Sequence, residues 1–421
     1  MIQFNLLLTA FLVLFILRSM VQLFLNELNL FHLRQHRSHI PEVFKGVVDQ
    51  EKLENISNYS LHSDRFNMLA TLVNEGLFLI LLLSGFLPWL ERMIHGWGWG
   101  STVSGLAFFG FLSVLANLLR IPLSLYDTFV IEDRYGFNTM TMKTWILDLL
   151  KSLALLTLLG GFLLWLLLSL MIYGGRMWWL WAWLLVSGFQ LLLLWLFPVV
   201  IAPLFNKFEP VEDKALEDRI RLLMEKVRIQ VKGVFRMDAS KRSKHTNAFF
   251  TGIGKTKRIV LFDTLLQSHP EEELLAVLAH EAGHWKRRHI LKQILLLGIL
   301  SFILFYGVSK FLDWPLLYET FGFQKPTVYT GLFLVTTILS PLSYFFQPLG
   351  AAISRRFERE ADDFSSGLMK SPVPLCQALR RLATDNLENL NPHSLYAWFY
   401  YSHPPLVERI IRLQNRQNNG R

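Results

Sequence analysis

His280, Glu281 and His284 stand in the order His-Glu-Ala-Gly-His, and on a helix that order has a definite chemistry. Residues four apart lie one turn apart on the same helical face, so both imidazoles can grip one metal ion. Glu281, beside the first histidine, can reach a water on that ion and take its proton. A catalytic zinc takes three protein ligands and keeps a fourth position for water. His289 is the nearest further histidine, but it sits five residues beyond His284 and rotates off the shared face. A carboxylate from elsewhere is therefore required. Within Ser354 to Asp363, Glu358 and Asp362 are one helical turn apart, so one can ligate while the other orients a ligand histidine. Spacing alone leaves Glu360 open as a competitor to Glu358.

The element that must present the motif is readable just upstream. Ser268 and His269 are cap candidates, Pro270 fits a first turn, and Glu271, Glu272 and Glu273 suit the positive end of a helix dipole. Before it, an amphipathic helix over 211–228, strands over Val231–Met237 and Arg258–Phe262, and an extended stretch over Asn247–Gly252 predict a small α+β unit. Gly252, Gly254 and the basic residues between the strands read as a hairpin turn. Gly254-Lys255-Thr256 resembles the end of a phosphate-binding loop, but Phe249 stands where that loop needs glycine, so no nucleotide is expected.

The rest of the chain is membrane. Hydrophobic residues make up 52% of the 421 and charged residues 18%, against about a quarter charged in soluble domains. The excess falls in blocks near 4–25, 68–90, 101–123, 147–172, 178–201, 290–312 and 328–350, each close to the roughly 20 residues that cross a bilayer as a helix. The first block lacks a basic start and a small-residue cleavage site and carries Arg18, so it is expected to be an uncleaved anchor. The predicted organisation is spans one to five with short loops (1–201), a polar catalytic segment (202–289), two further spans (290–350) and a second catalytic segment (351–421). Lys and Arg collect in 26–67, 124–146, 202–289 and 351–421, which places these segments in the cytosol. Asn74, Glu75, Asp148, Lys151 and Gln190 fall at membrane depth and point to a hydrated interior. The net charge of +9 suits anionic headgroups; no basic stripe with interleaved aromatics marks a nucleic-acid partner. The single cysteine, Cys376, excludes an intrachain disulfide and a Cys-rich zinc site.

Several stretches together resemble the type 1 CAAX prenyl protease family, the a-factor-converting zinc metalloproteases. They are His280-Glu281-Ala282-Gly283-His284-Trp285, the Glu358-x-x-Ala361-Asp362 pair, Asn247-Ala248-Phe249, Lys257 to Leu266, Ser240-Lys241-Arg242-Ser243, Thr128 to Glu132 with Gly136-Phe137-Asn138, and Ser402-His403-Pro404-Pro405. The resemblance implies a mainly α, seven-helix barrel around a water-filled chamber, with a small gluzincin-like α+β unit at its cytosolic end. It implies one Zn²⁺ held by His280, His284 and Glu358, with Asp362 behind them and Glu281 as base. It further implies His403 as oxyanion donor, and substrate contact at an edge strand bearing Asn247 and Ala248 and at Trp285. The expected client is a polypeptide, prenylated or membrane-inserted. A membrane quality-control protease of the heat-shock type shares the zinc motifs but has fewer spans. A zinc-binding scaffold or transporter would have no need of Glu281, so its presence favours the enzyme. The chain ends without a dilysine-type retrieval signal, and a bacterial or archaeal plasma membrane is the expected address.

Overall fold

The computed structural model describes residues 2–252 and 258–419; the expected turn through Gly254 and the Gly254-Lys255-Thr256 stretch lie outside them. Among the described residues, seven helices are long and apolar enough to cross a membrane: Leu6–Gln35, Gln50–Leu83, Ser101–Glu132, Met142–Tyr173, Gly175–Phe205, His289–Phe311 and Val328–Phe345. The first five run to 30–34 residues, about 45–50 Å at the helical rise, against a hydrocarbon thickness of about 30 Å. Hydropathy registers only the immersed part, which is why these helices outrun the apolar blocks. The block at 68–90 errs at its far end instead. The second span stops at Leu83, Gly85 takes φ +81°, and Phe86–His95 is a separate short helix.

Each span touches the next in chain order, and the seventh returns to the first, so the seven close a ring. One end is plugged by a packed core that includes Leu8, Phe11, Leu87, Leu90, Phe108 and Tyr329. Elsewhere the ring is open. The apolar windows of the first six spans are only 6–17% buried, and that of the seventh 39%. A filled bundle would bury the inward face of every span; here those faces line a chamber. Three of the polar groups at depth are partnered: Glu75 pairs with Arg18 and accepts from Ser19 Oγ at 2.6 Å. Asp148 receives Arg242 through two bonds of 2.7 and 3.0 Å, and Lys151 Nζ donates to the Leu204 carbonyl at 2.9 Å.

At the opposite end sits the polar unit. Four strands, β1 (Phe208–Pro210), β2 (Gly233–Met237), β3 (Ala248–Thr251) and β4 (Arg258–Phe262), form a sheet in the order β1-β2-β4-β3. β2 and β4 run parallel; the outer pairs are antiparallel. The three-residue, proline-containing β1 gave no strand signal in the sequence. Apolar residues of the sheet and neighbouring helices, among them Ile220, Leu261, Leu265, Leu274 and Leu278, form the core of the unit. The 132–138 segment braces the approach to β3. Phe137 stacks on His245 at 4.0 Å, its carbonyl accepts from Lys244 N at 3.0 Å, and Glu132 lies between Tyr59 and His245 at 2.7 and 3.2 Å.

The motif helix spans Glu271–Lys286 and starts directly after Pro270; Ser268 closes a preceding short helix instead of capping this one. Its acidic first turn is used: Glu271 and Glu272 meet Arg219, and Glu273 meets Arg381 at 2.8 Å. The carboxylate helix, Gln347–Met369, follows the seventh span almost without a break. These two helices approach most tightly at Gly283, where a Cβ would stand 3.0 Å from both Ala361 Cα and Phe364 Cβ. Ser365 Oγ, buried, locks them by donating to the Ala276 carbonyl at 2.8 Å. Gly283→Ala should therefore force the helices apart and cost about 1–3 kcal/mol, read as a lower unfolding temperature in detergent. Wild-type stability in that variant would show slack where the structure has none.

Candidate metal centre

Because the two helices cross at Gly283, the residues one turn either way face one another. His280 Nε2 lies 3.2 Å from His284 Nε2, Glu358 Oε2 lies 3.3 Å from His280 Nε2, and Glu358 Oε1 lies 3.2 Å from His284 Nε2. Ligands about 2.1 Å from a tetrahedral zinc are separated by about 3.4 Å, so the three side chains have the dimensions of one face of such a tetrahedron. Glu358 Oε2 is buried with no hydrogen-bond partner among the described residues, an orphan that a cation would satisfy. The donor set is thus fit for a divalent metal, and among the described residues it is the group of acidic and histidine side chains that could hold one.

The surrounding shell is built to hold that set. Asp362 Oδ1 stands 2.9 Å from His280 Nδ1, on the side of the ring away from the cluster. Asp362 is in turn gripped by Arg409 through bonds of 3.0 and 2.6 Å, both residues being buried, and Arg409 also lies 3.7 Å from Glu358. Sequence reasoning missed Arg409. Its only signal was an arginine four residues after Pro405, too ordinary to single out before its partner was known. Glu360, the competitor to Glu358, faces the other way, toward His289 and Arg356.

The electrostatics follow from these contacts. Burial alone would lower the His280 imidazole, but Asp362 and Glu358 against it push it up to about 9. Burial would raise Glu358, yet His280 and His284 hold it well below the usual carboxylate range. Glu281 moves the other way: burial raises it above an ordinary carboxylate, against the pull of both histidines. A carboxylate with its proton affinity raised is better suited to accept a proton near neutral pH.

His403 Nε2 reaches to 3.3 Å from Glu358 Oε1, while its Nδ1 is held by Ser402 Oγ at 3.0 Å. Desolvation by the surrounding protein lowers its imidazole against the opposing charge of Glu358, which favours the neutral ring. The loop that carries it is tied to the carboxylate helix by Arg355, whose Nη1 donates to the Tyr401 carbonyl at 2.7 Å. A cleft of about 570 Å³ brings His403 and Arg409 together with Thr246, Asn247, Asn386 and Tyr401. β3 is the outer strand of the sheet beside it. The Asn247 carbonyl accepts from Phe262 N at 3.1 Å, toward β4, so the backbone of Ala248 points away from the sheet, its N–H held by Asn247 Oδ1 at 2.8 Å. Trp285 packs against the core of the polar unit.

A ring of membrane helices with a metal-binding triad and a cleft beside it at one end is the architecture of a membrane metalloendopeptidase. Comparison with known proteins places it more finely. Residues 29–207 match the family profile of the CAAX prenyl protease N-terminal region with its five membrane helices, and residues 210–417 match peptidase family M48. The chain is 35% identical to CAAX prenyl protease 1 of Saccharomyces cerevisiae over 89% of its own length and 88% of that protein. To the human CAAX prenyl protease 1 homolog it is 31% identical, over 91% and 90% of the two chains. The crystal structure of S. mikatae Ste24p superposes with a TM-score of 0.89 at 32% identity, covering 96% of this chain and 99% of that one. The chain belongs to peptidase family M48, among the CAAX prenyl protease 1 homologues, and is an integral membrane metalloendopeptidase.

Removing one member of the Asp362–Arg409 pair would leave a buried charge unpaired. Arg409→Met should cost about 3–5 kcal/mol, and Asp362→Asn in the same chain should restore part of it. Thermal unfolding of Arg409→Met, Asp362→Asn and the double variant in detergent measures both effects, and single losses that simply add in the double variant would mean the pair is not coupled.

Proposed function

We propose that His280, His284 and Glu358 hold one zinc ion and that the chain hydrolyses peptide bonds of extended polypeptides, the CAAX-type prenylated C-terminus being the favoured substrate class. The observation that carries the metal reading is the 3.2–3.3 Å triangle of two Nε2 atoms and the Glu358 carboxylate. Substrate class rests on the kinship to proteins named CAAX prenyl protease 1. Zinc in that position would supply Lewis acidity toward a peptide carbonyl and lower the pKa of water. Glu281 takes the proton of the attacking water and delivers it to the leaving amine. His403, neutral and with Nε2 turned toward the cluster, donates to the carbonyl oxygen as charge develops there. Asp362 orients His280. The outward backbone of Ala248, once freed from Asn247 Oδ1, pairs with substrate as an added strand, which reads the main chain and leaves side chains unread. Trp285 completes the substrate contacts in this reading.

The polar unit faces the cytosol by the distribution of Lys and Arg in the loops. The prokaryotic plasma membrane remains our reading from the sequence, while the relatives named above come from yeast and human. The division at residues 201, 289 and 350 follows the polarity of the chain and is likewise proposed.

Two measurements test the reading. Glu281→Gln should lose about 10²–10⁴-fold or more in cleavage of a farnesylated CAAX peptide while retaining the zinc content of wild type. Cleavage by both proteins at equal rates would overturn the mechanism, and preference for an unlipidated unfolded protein would overturn the substrate class. The second is pH. Metal must displace the proton that His280 keeps up to about 9, so the apparent zinc affinity should fall as pH drops below about 9, by up to tenfold per unit. A flat profile between pH 6 and 9 would mean that His280 is not a ligand.

A further inference from the structure

His289 was expected to point away from the motif, and on a continuous helix it would. The helix is not continuous. The motif helix ends at Lys286, Arg288 adopts φ 56° and ψ 38°, and the sixth span starts afresh at His289. A left-handed backbone at a residue other than Gly, Asn or Asp is uncommon and strained. What it achieves is visible. The turn swings the buried His289 ring back, so that its Nδ1 lies 3.0 Å from His284 Nδ1 and its Nε2 lies 3.2 Å from Glu360 Oε2. The ring is fixed in that plane by Phe357, stacked on it at 4.2 Å and 7°. Glu360 is held by Arg356 at 3.1 Å and approached by Lys292 at 4.0 Å.

The proton positions in this chain follow from chemistry. If His284 presents its Nε2 lone pair to a metal, its proton is on Nδ1. His289 Nδ1 must then accept, which places the His289 proton on Nε2, aimed at Glu360, a carboxylate that can only accept. Every donor meets an acceptor in this one direction. We infer that His289 is a positioning residue that, backed by Glu360, fixes the tautomer and ring orientation of His284, as Asp362 does for His280. This rests on the zinc reading above and extends it: each ligand histidine has its own support, one ionic and direct, the other relayed through a neutral ring.

Side-chain geometry supplies the test. Asparagine at 289 can place its amide oxygen where Nδ1 now accepts from His284. Glutamine places a polar group where Nε2 now meets Glu360 and offers His284 nothing. Phenylalanine keeps the stacking on Phe357 and loses both bonds. Full-length wild type and the three variants, purified in detergent, would be titrated with zinc against a chromophoric chelator and with Co²⁺ by its visible absorption. The unfolding temperature would be recorded before metal is added. His289→Phe and His289→Gln should bind zinc about 10–100-fold more weakly with an altered Co²⁺ spectrum. His289→Asn should stay within a few-fold of wild type even though, losing the stacked ring, it is the less stable protein without metal. A merely structural role predicts the reverse, with affinity following stability and asparagine worst. Zinc affinity unchanged in both His289→Phe and His289→Gln, or asparagine as weak as they are, would overturn the relay. A wild type that binds no zinc at all would instead overturn the metal reading beneath it.

Discussion

The contact on which the rest of the structure depends is the crossing of the motif helix and the carboxylate helix at Gly283. The two histidines and the carboxylate come from segments separated by two membrane spans, and only backbone-to-backbone approach lets short side chains meet at 3.2–3.3 Å. A β-carbon at residue 283 would stand 3.0 Å from Ala361 Cα. The small residues Gly283 and Ala361 permit that approach, and Ser365 reaches the Ala276 carbonyl across it. The intervening membrane hairpin, His289–Phe311 and Val328–Phe345, follows from the same requirement. Ligands split across a membrane segment can meet only if the chain crosses an even number of times, and two crossings are the least that will do.

Bringing the helices together gathers charge into a buried place, and the arrangement resolves it locally. Asp362 and Arg409 cancel one another through a two-bond ion pair. That leaves Glu358, with Arg409 no nearer than 3.7 Å and no hydrogen-bond partner on Oε2 among the described residues, as the negative charge facing the position that a divalent ion would fill. Without such an ion His280 meets part of the demand, its proton held up to about 9 by Asp362 and Glu358. Buried polar groups are costly unless satisfied, so the set favours a doubly charged metal over a proton.

How much of this was written in the sequence depends on the distance over which each feature is encoded. The motif is local, and the i, i+4 rule exposes His280 and His284 directly. The pairing of Glu358 with Asp362 is also local, but choosing Glu358 over Glu360 took family resemblance, since both lie near enough in sequence and only the face they present separates them. Arg409 is encoded nowhere near its partner. The direction of the His289 ring departs from helical phase for a definite reason: phase extrapolates well until the backbone leaves the helix, and an arginine in the left-handed region gives no warning that it will. Spans were placed well by hydropathy and their lengths poorly, because the ends leave the lipid while the helix continues, capped by Asn5 or Asp49 and supported by polar contacts.

The division between a packed end and an open middle bears on how substrates would be chosen. An edge strand recognises any extended main chain, so the neighbourhood of Ala248 offers little discrimination by sequence. The cleft is walled by the His403 loop on one side and by the strap through Thr246 and Asn386 on the other, with Asn386 Oδ1 accepting from Thr246 N at 2.9 Å. A folded domain brings no free strand to such an edge. On the proposed reading, selection therefore rests less on a side-chain pocket than on whether a polypeptide is extended and can reach a ring whose spans leave their inward faces uncovered. A lipidated or membrane-seated segment meets that condition by being concentrated at the same depth as the opening, an effect of local concentration that requires no additional contact.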